Sequence, residues 1–242
     1  MYINDIHILF YLSIGVIGLI VGQLIDWCNN RLAKYEKVLS KDFFTQYLSN
    51  ATPQYLLMSI TAISYVLVLY FNGLTVDTLK YVILIPMLAC AFYVDLKEQI
   101  IPNRLNLLIF EIGLVLVFIY GFININISLN LLLGMLAGGG IFLIITLIGG
   151  LIAGKEAMGM GDVKLMGALG LFFGLQNIIV ISVLAFLIGA IVSIVIMIIK
   201  RKGTDTYIPF GPFIVISSVI TIFVPFSILF TTLMKIFTLG MY

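Results

Sequence analysis

What most limits this chain is a series of apolar runs, each of about 20 residues, divided by short polar stretches. A run of that length matches the hydrocarbon thickness of a bilayer. Backbone groups in lipid must also find their partners within the chain, which leaves the helix as the spanning form for such runs. Only 10% of residues are charged, and the mean hydropathy is +1.21. The reading is an all-α, polytopic membrane protein, a single membrane-embedded domain over 1–242. The only inner segment long enough to fold on itself is the loop 26–53.

About eight transmembrane helices are predicted, near 7–25, 55–71, 78–94, 105–123, 129–152, 163–174, 177–199 and 212–239. The sixth is short and glycine-rich. Its roughly 12 residues rise only about 18 Å, so it is either a half-helix or a deeply buried one packed closely through Gly167, Gly170 and Gly174. The opening "MYINDIHILFYLSIG" contains no Lys or Arg, so it is read as a retained helix and not as a secretory signal. Cys28 and Cys90 form neither a CxxC motif nor a disulfide framework and are assigned to packing.

Charge sets the orientation. With the N-terminus outside, Arg31, Lys34, Lys37, Lys41, Lys97, Arg104, Lys155, Lys164, Lys200, Arg201 and Lys202 all fall on the inner side, 11 of 13 cations. Only Lys80 and Lys235 lie outside. Two carboxylates then share the cytoplasmic side, Asp95 in "FYVDLKEQIIPNRLN" and Asp162 in "GKEAMGMGDVKLMGALG".

Carboxylates bordering membrane spans are costly and face protein or a wet cavity. Asp5, Asp26, Glu36, Asp42, Asp77, Glu156 and Asp205 are read as solvated. Glu111, inside the fourth helix, is assigned a hydrogen-bonding role within the bundle. Singly, Asp162 could cap a helix beginning at Val163, and Asp95 could pair with Lys97 or Arg104. Their settings argue for more. Pro102 breaks the chain, Asn103 is a sensible cap for the fourth helix, and Gly159 and Gly161 clear space beside Asp162. Two accessible carboxylates suit hydrolysis by general acid/base catalysis, and like charges held close share one proton. Lys164 steers substrate or anchors the boundary; both readings stand. In "PFGPF", Pro209, Gly211 and Pro212 shape a turn that opens the last helix, with Phe210 between them.

"DLKEQIIPNRLN" together with "GMGDVKLMGALG" resembles the two aspartate motifs of the type IV prepilin peptidases, a family of GxGD intramembrane aspartyl proteases. "KRKGTDTYIPFGPF" is similar to that family's stretch before the last helix, and "GQLIDWCNNRL" is a weaker echo of its region after the first. The resemblance spans most of the chain, in order. It implies that Asp95 and Asp162 are the catalytic pair, supported by Gly159, Gly161, Lys164, Pro209, Phe210, Gly211 and Pro212. It implies a peptidase of a prokaryotic cytoplasmic membrane that removes the basic leader of type IV prepilins or pseudopilins after a glycine, at the inner face. Many members then methylate the new N-terminus with S-adenosylmethionine. Longer members carry paired CxxC motifs after the first helix, whereas the loop here holds only Cys28; no structural metal is expected, and proteolysis needs no cofactor. Partners are the prepilin and membrane lipid, not nucleic acid. Asp26, Glu36 and Asp42 are candidates to meet the leader. The rival from another class is a secondary transporter or channel using Asp95, Asp162 and Glu111, against which stands the absence of an inverted repeat. A presenilin-like protease fits less well, because "PFGP" stands where that group has a PAL stretch.

Overall fold

The structure, a computed structural model, describes residues 2–34, 36, 52–154, 158–200 and 208–238. It divides into two compact units, 1–98 and 99–242. Asp42, Glu156, Asp205, Lys37, Lys41, Lys155, Arg201, Lys202 and most of the 26–53 loop lie outside the described residues.

The first unit opens on a two-residue-per-strand hairpin, β1 (Tyr2–Ile3) against β2 (Ile6–His7). Its turn residues Asn4 (φ 49°) and Asp5 (φ 60°) hold the left-handed backbone that Asn and Asp tolerate. His7 then caps α1 (Ile8–Ala33), its Nδ1 accepting from the Leu9 N–H at 3.4 Å. Helices α2 (Tyr55–Asn72) and α3 (Val76–Glu98) complete the unit. α1 meets α2 through glycines: a Cβ on Gly18 would stand 2.6 Å from Ala62 Cα, and one on Gly22 would stand 2.5 Å from Met58 Cα. Small residues permit this approach where lipid supplies no hydrophobic drive between helices. Gln23 ties the start of α2 to α1, accepting from the Gln54 N–H at 3.0 Å and donating to the Thr52 carbonyl at 3.3 Å.

Pro86 lies inside α3 and brings no N–H, which leaves the carbonyl four residues back without its helical partner. The Tyr65 hydroxyl of α2 donates to that carbonyl, Val82 O, at 2.8 Å. Cys28 and Cys90, 62 positions apart, are neighbours between α1 and α3 and remain free thiols. The first helix runs to Ala33, past the expected end at 25, because the continuation still packs: Ile25, Asn29, Leu32 and Ala33 are buried. Asp26 therefore sits on a helix, half-buried. Asp77 is likewise not simply solvated, since it lies in the first turn of α3 and takes the Lys80 ammonium at 2.6 Å.

The second unit contains α4 (Asn103–Ile123), α5 (Ile125–Ala153), α6 (Met160–Lys200), α7 (Gly211–Phe223) and α8 (Phe226–Phe237). α6 is two helices meeting at Gly174, whose φ of 73° and ψ of 177° are not helical. The break matches the expected division between 163–174 and 177–199. Gly138 of α5 lies against both Met166 and Ile178, and Gly134 lies against both Gly170 and Gly174. The two halves of α6 therefore run side by side in opposite directions along α5, and the chain reverses at Gly174. The Leu175 N–H donates to Asn130 Oδ1 at 3.3 Å, tying the start of the second half to α5. Of the two forms expected for the sixth helix, the buried glycine-packed one is found: Leu165, Met166, Leu169, Leu171 and Phe172 are fully enclosed.

The last predicted helix, 212–239, is divided. Pro225 cannot donate to a preceding turn and forces Val224 into extended backbone at ψ 123°, which separates α7 from α8. Among the described residues, six helical segments are long and apolar enough to cross a membrane by length and composition, α1 to α5 and α6 taken with its two halves together, and α7 and α8 are shorter apolar helices.

Candidate active site

Asp95 lies in the first unit, in the last turn of α3, and is buried to 4% exposure. The apolar face below it, Leu84, Leu88, Ala91 and Val94, is spaced at three and four residues and is fully enclosed. Packing of that face is what points the carboxylate inward. Lys97, two residues on, is turned toward the Tyr93 ring, 5.9 Å from its centroid.

Asp162 lies in the second unit, in the first turn of α6, and is 5% exposed. It is not the cap of that helix, which already begins at Met160; its own N–H donates to the Gly159 carbonyl at 3.1 Å. Gly161 is there for proximity. A Cβ would stand 3.3 Å from the Ile101 side chain and 3.5 Å from its carbonyl, so the glycine lets the α6 start settle on the segment before α4. Asn106 of α4 holds this turn from the side, its Nδ2 donating to Gly161 O at 3.0 Å. Lys164 Nζ donates to Asn103 Oδ1 at 2.9 Å. Asn103 is thus the first residue of α4 and not its cap, because its side-chain oxygen is used by Lys164 and Pro102 takes the cap position.

Pro209, Phe210, Gly211 and Pro212 form the entrance to α7, with Gly211 and Pro212 buried. The Phe210 ring is clasped by Phe186 at 5.0 Å, Phe213 at 5.8 Å and Phe142 at 5.9 Å between centroids. Extending the α5–α6 register one turn beyond Gly138 and Met166 puts Phe142 at the level of Asp162. The aromatic cluster thereby holds the PFGPF stretch at that depth. Glu111 lies on the exposed side of α4, so the expected hydrogen-bonding role within the bundle is not found.

Asn106 escaped sequence reading. It is 3% exposed, and its Oδ1 has no partner. The signal was a lone amide in the apolar run "NLLIF" directly after the IPN break. No group of three or more metal-ligating side chains occurs among the described residues.

Comparison with known proteins follows the same residues. The model of the type IV leader peptidase family matches 82–194, a span that contains both aspartates. The chain is 34% identical over 153 residues to the prepilin leader peptidase/N-methyltransferase of Legionella pneumophila, covering 62% of this chain and 52% of the relative. To the protein of that name in Escherichia coli (strain K12) it is 33% identical over 129 residues, covering 53% and 56%. To that of Aeromonas hydrophila it is 30% identical over 140 residues, covering 58% and 47%. The chain spans about half the length of these curated relatives, and no solved structure matches. Within this multi-pass chain, residues 82–194 are thus the stretch that is similar to the type IV leader peptidase family.

Proposed function

We propose that the chain is a membrane aspartyl endopeptidase that cleaves the basic leader of type IV prepilins or pseudopilins after a glycine, with Asp95 and Asp162 as the catalytic pair. The observation that carries the reading is that both aspartates are buried at helix ends inside the span matched to the leader peptidase family. In the proposed reaction one carboxylate is ionised and takes a proton from water as the oxygen adds to the scissile carbonyl carbon. The other, protonated, gives its proton to the carbonyl oxygen. Collapse of the tetrahedral species breaks the C–N bond. The first carboxyl protonates the leaving nitrogen, the second recovers its proton, and the pair returns to its starting state. Gly161 seats the Asp162 turn against Ile101, Gly159 adds no side chain to the approach, and Pro209, Phe210, Gly211 and Pro212 wall the site.

The site would face the cytoplasm of a prokaryotic inner or plasma membrane. The cation bias supports this, and the reversal at Gly174, which turns the second half of α6 back along the first, is consistent with it. The leader would meet acids on that side. Asp26 is half-buried, whereas Glu36 is exposed and paired with Arg31 at 3.6 Å.

The names of the relatives include a methyltransferase, for which S-adenosylmethionine would be the donor. Of the residues echoing that region, Asn29 is buried, and its Oδ1 has no partner among the described residues. Gly22 is taken up by the contact with α2, and Arg31 stacks over Trp27 at 4.4 Å. Nothing in the comparisons supports transport.

The test is co-expression with a prepilin and mass spectrometry of its N-terminus, which reads cleavage and methylation together. Leader removal by the native chain and its loss in Asp95→Asn and Asp162→Asn are expected. Continued removal by either variant would sink the assignment.

A further inference from the structure

The proposed site makes no use of Glu111, yet its placement in α4 is costly. α4 is long and apolar enough to cross a membrane, and Glu111 lies eight residues from its start, about 12 Å along the axis. Both ends of the helix are therefore more than two turns away. The residue is exposed, and among the described residues it enters no hydrogen bond or ion pair. Leu107, Leu108, Leu114 and Val115, one turn to either side, bring no polar side-chain atoms. A carboxyl within a span almost always faces protein or a wet cavity. An outward one marks a face that another protein surface covers.

The side chains around it define that face. Leu108, Val115, Phe118 and Phe122 are all exposed, and with Glu111 they fall at steps of three, four, three and four residues, the spacing of a two-helix seam. Phe118 and Phe122 meet edge to face, 4.9 Å between centroids, so one end of the stripe is an aromatic ridge. The opposite side of α4 is already occupied: Leu105, Ile109, Gly113, Leu116 and Tyr120 are buried. A partner on the Glu111 face displaces none of that packing.

Chemistry selects the partner. Lipid tails offer neither donor nor acceptor. A neutral carboxyl both donates and accepts, and an ionised one accepts, so two identical carboxyls satisfy each other once at least one holds a proton. A second copy of the chain lies in the same membrane in the same orientation and brings the same stripe in parallel. Each of the five residues then meets its counterpart across a two-fold axis. The single polar position fixes the register, as one polar residue does in a heptad seam. We propose that this chain pairs with a second copy of itself through α4, with Glu111 of one copy hydrogen-bonded to Glu111 of the other.

The experiment uses the full chain in phosphatidylcholine vesicles, with donor- and acceptor-labelled copies joined to their dyes through an appended C-terminal tag. Energy transfer is followed as lipid dilutes the protein. Glu111→Leu is expected to raise the surface density needed for half-maximal transfer roughly tenfold, the worth of two hydrogen bonds between helices. Glu111→Gln, whose amide still donates and accepts, should stay within about twofold of the native chain. Oxidative cross-linking locates the contact: Phe118→Cys should join two copies, and Leu133→Cys, on the exposed side of α5, should not. The native chain, with Cys28 and Cys90, is run beside them as the background. Association of Glu111→Leu at the native density, or cross-linking through Leu133→Cys and not Phe118→Cys, overturns the proposal. So does a native chain that stays single at every density, including one whose Phe118→Cys variant cross-links to an added cysteine-bearing prepilin peptide, which assigns the face to substrate. No readout here depends on cleavage, so failure of the peptidase reading leaves the result intact.

Discussion

Gly170→Ala offers a sharp test of how Asp162 is held. The added Cβ would stand 2.2 Å from Gly134 O and 2.3 Å from Gly134 C, both backbone atoms of α5 that cannot rotate away. Restoring ordinary contact at 3.4 Å requires the first half of α6 to retreat from α5 by about 1.2 Å. Overpacking of this kind costs about 1–3 kcal/mol, and a backbone-to-backbone clash belongs at the upper end. The displaced segment carries Asp162 eight residues away on the same helix, and a 1 Å misplacement of a reacting group costs about 100-fold in rate. Two internal controls share the neighbourhood. Gly139→Ala meets only Gly167 Cα at 3.6 Å, and Gly140→Ala meets nothing within 4 Å. The first should be close to neutral, and the second should gain about 0.5–1 kcal/mol from the better helix former. Chemical denaturation in mixed micelles would rank the three, and prepilin cleavage would report the catalytic arm. Should Gly170→Ala melt and cleave like the native chain, the close α5–α6 contact is not what positions Asp162.

Other expectations follow from single contacts. Asp95→Asn and Asp162→Asn should each slow prepilin cleavage by at least 10²–10⁴-fold, the usual worth of a general acid or base, with unchanged circular dichroism; normal turnover in either would refute the pairing. Asn130→Ala should destabilise by about 1 kcal/mol, as for loss of a helix cap, because it removes the acceptor for the Leu175 N–H, and an unmoved denaturation midpoint would contradict that role. Tyr65→Phe should cost about 0.5–1.5 kcal/mol by exposing the Val82 carbonyl left open by Pro86; equal stability would mean another donor fills the gap. Mild oxidant should join Cys28 to Cys90 within one chain, visible as the loss of two hydrogens by intact mass, and failure to react in unfolding-free conditions would count against the thiol contact.

Much of this protein was legible along the chain because the bilayer imposes a one-dimensional rule. A helix must be apolar for about 20 residues, so composition located the helices. The aspartates stood out because a carboxylate beside lipid needs a reason. The breaks at Gly174 and before Asp162 were marked by glycines. Helix ends were less legible: α1 runs on to Ala33 and the last span breaks at Pro225, since extension depends on what a segment packs against and a proline's effect on the hydrogen bonds its neighbours can make. Only the tertiary structure decided that Asn103 serves Lys164 and not a helix cap, that Asn106 clasps the turn before Asp162, and that Glu111 faces outward. An amide or a carboxylate looks the same in a sequence whichever way its helix is turned. Its partner is chosen by the rotation and approach of neighbouring helices, and here glycine contacts between backbones set both.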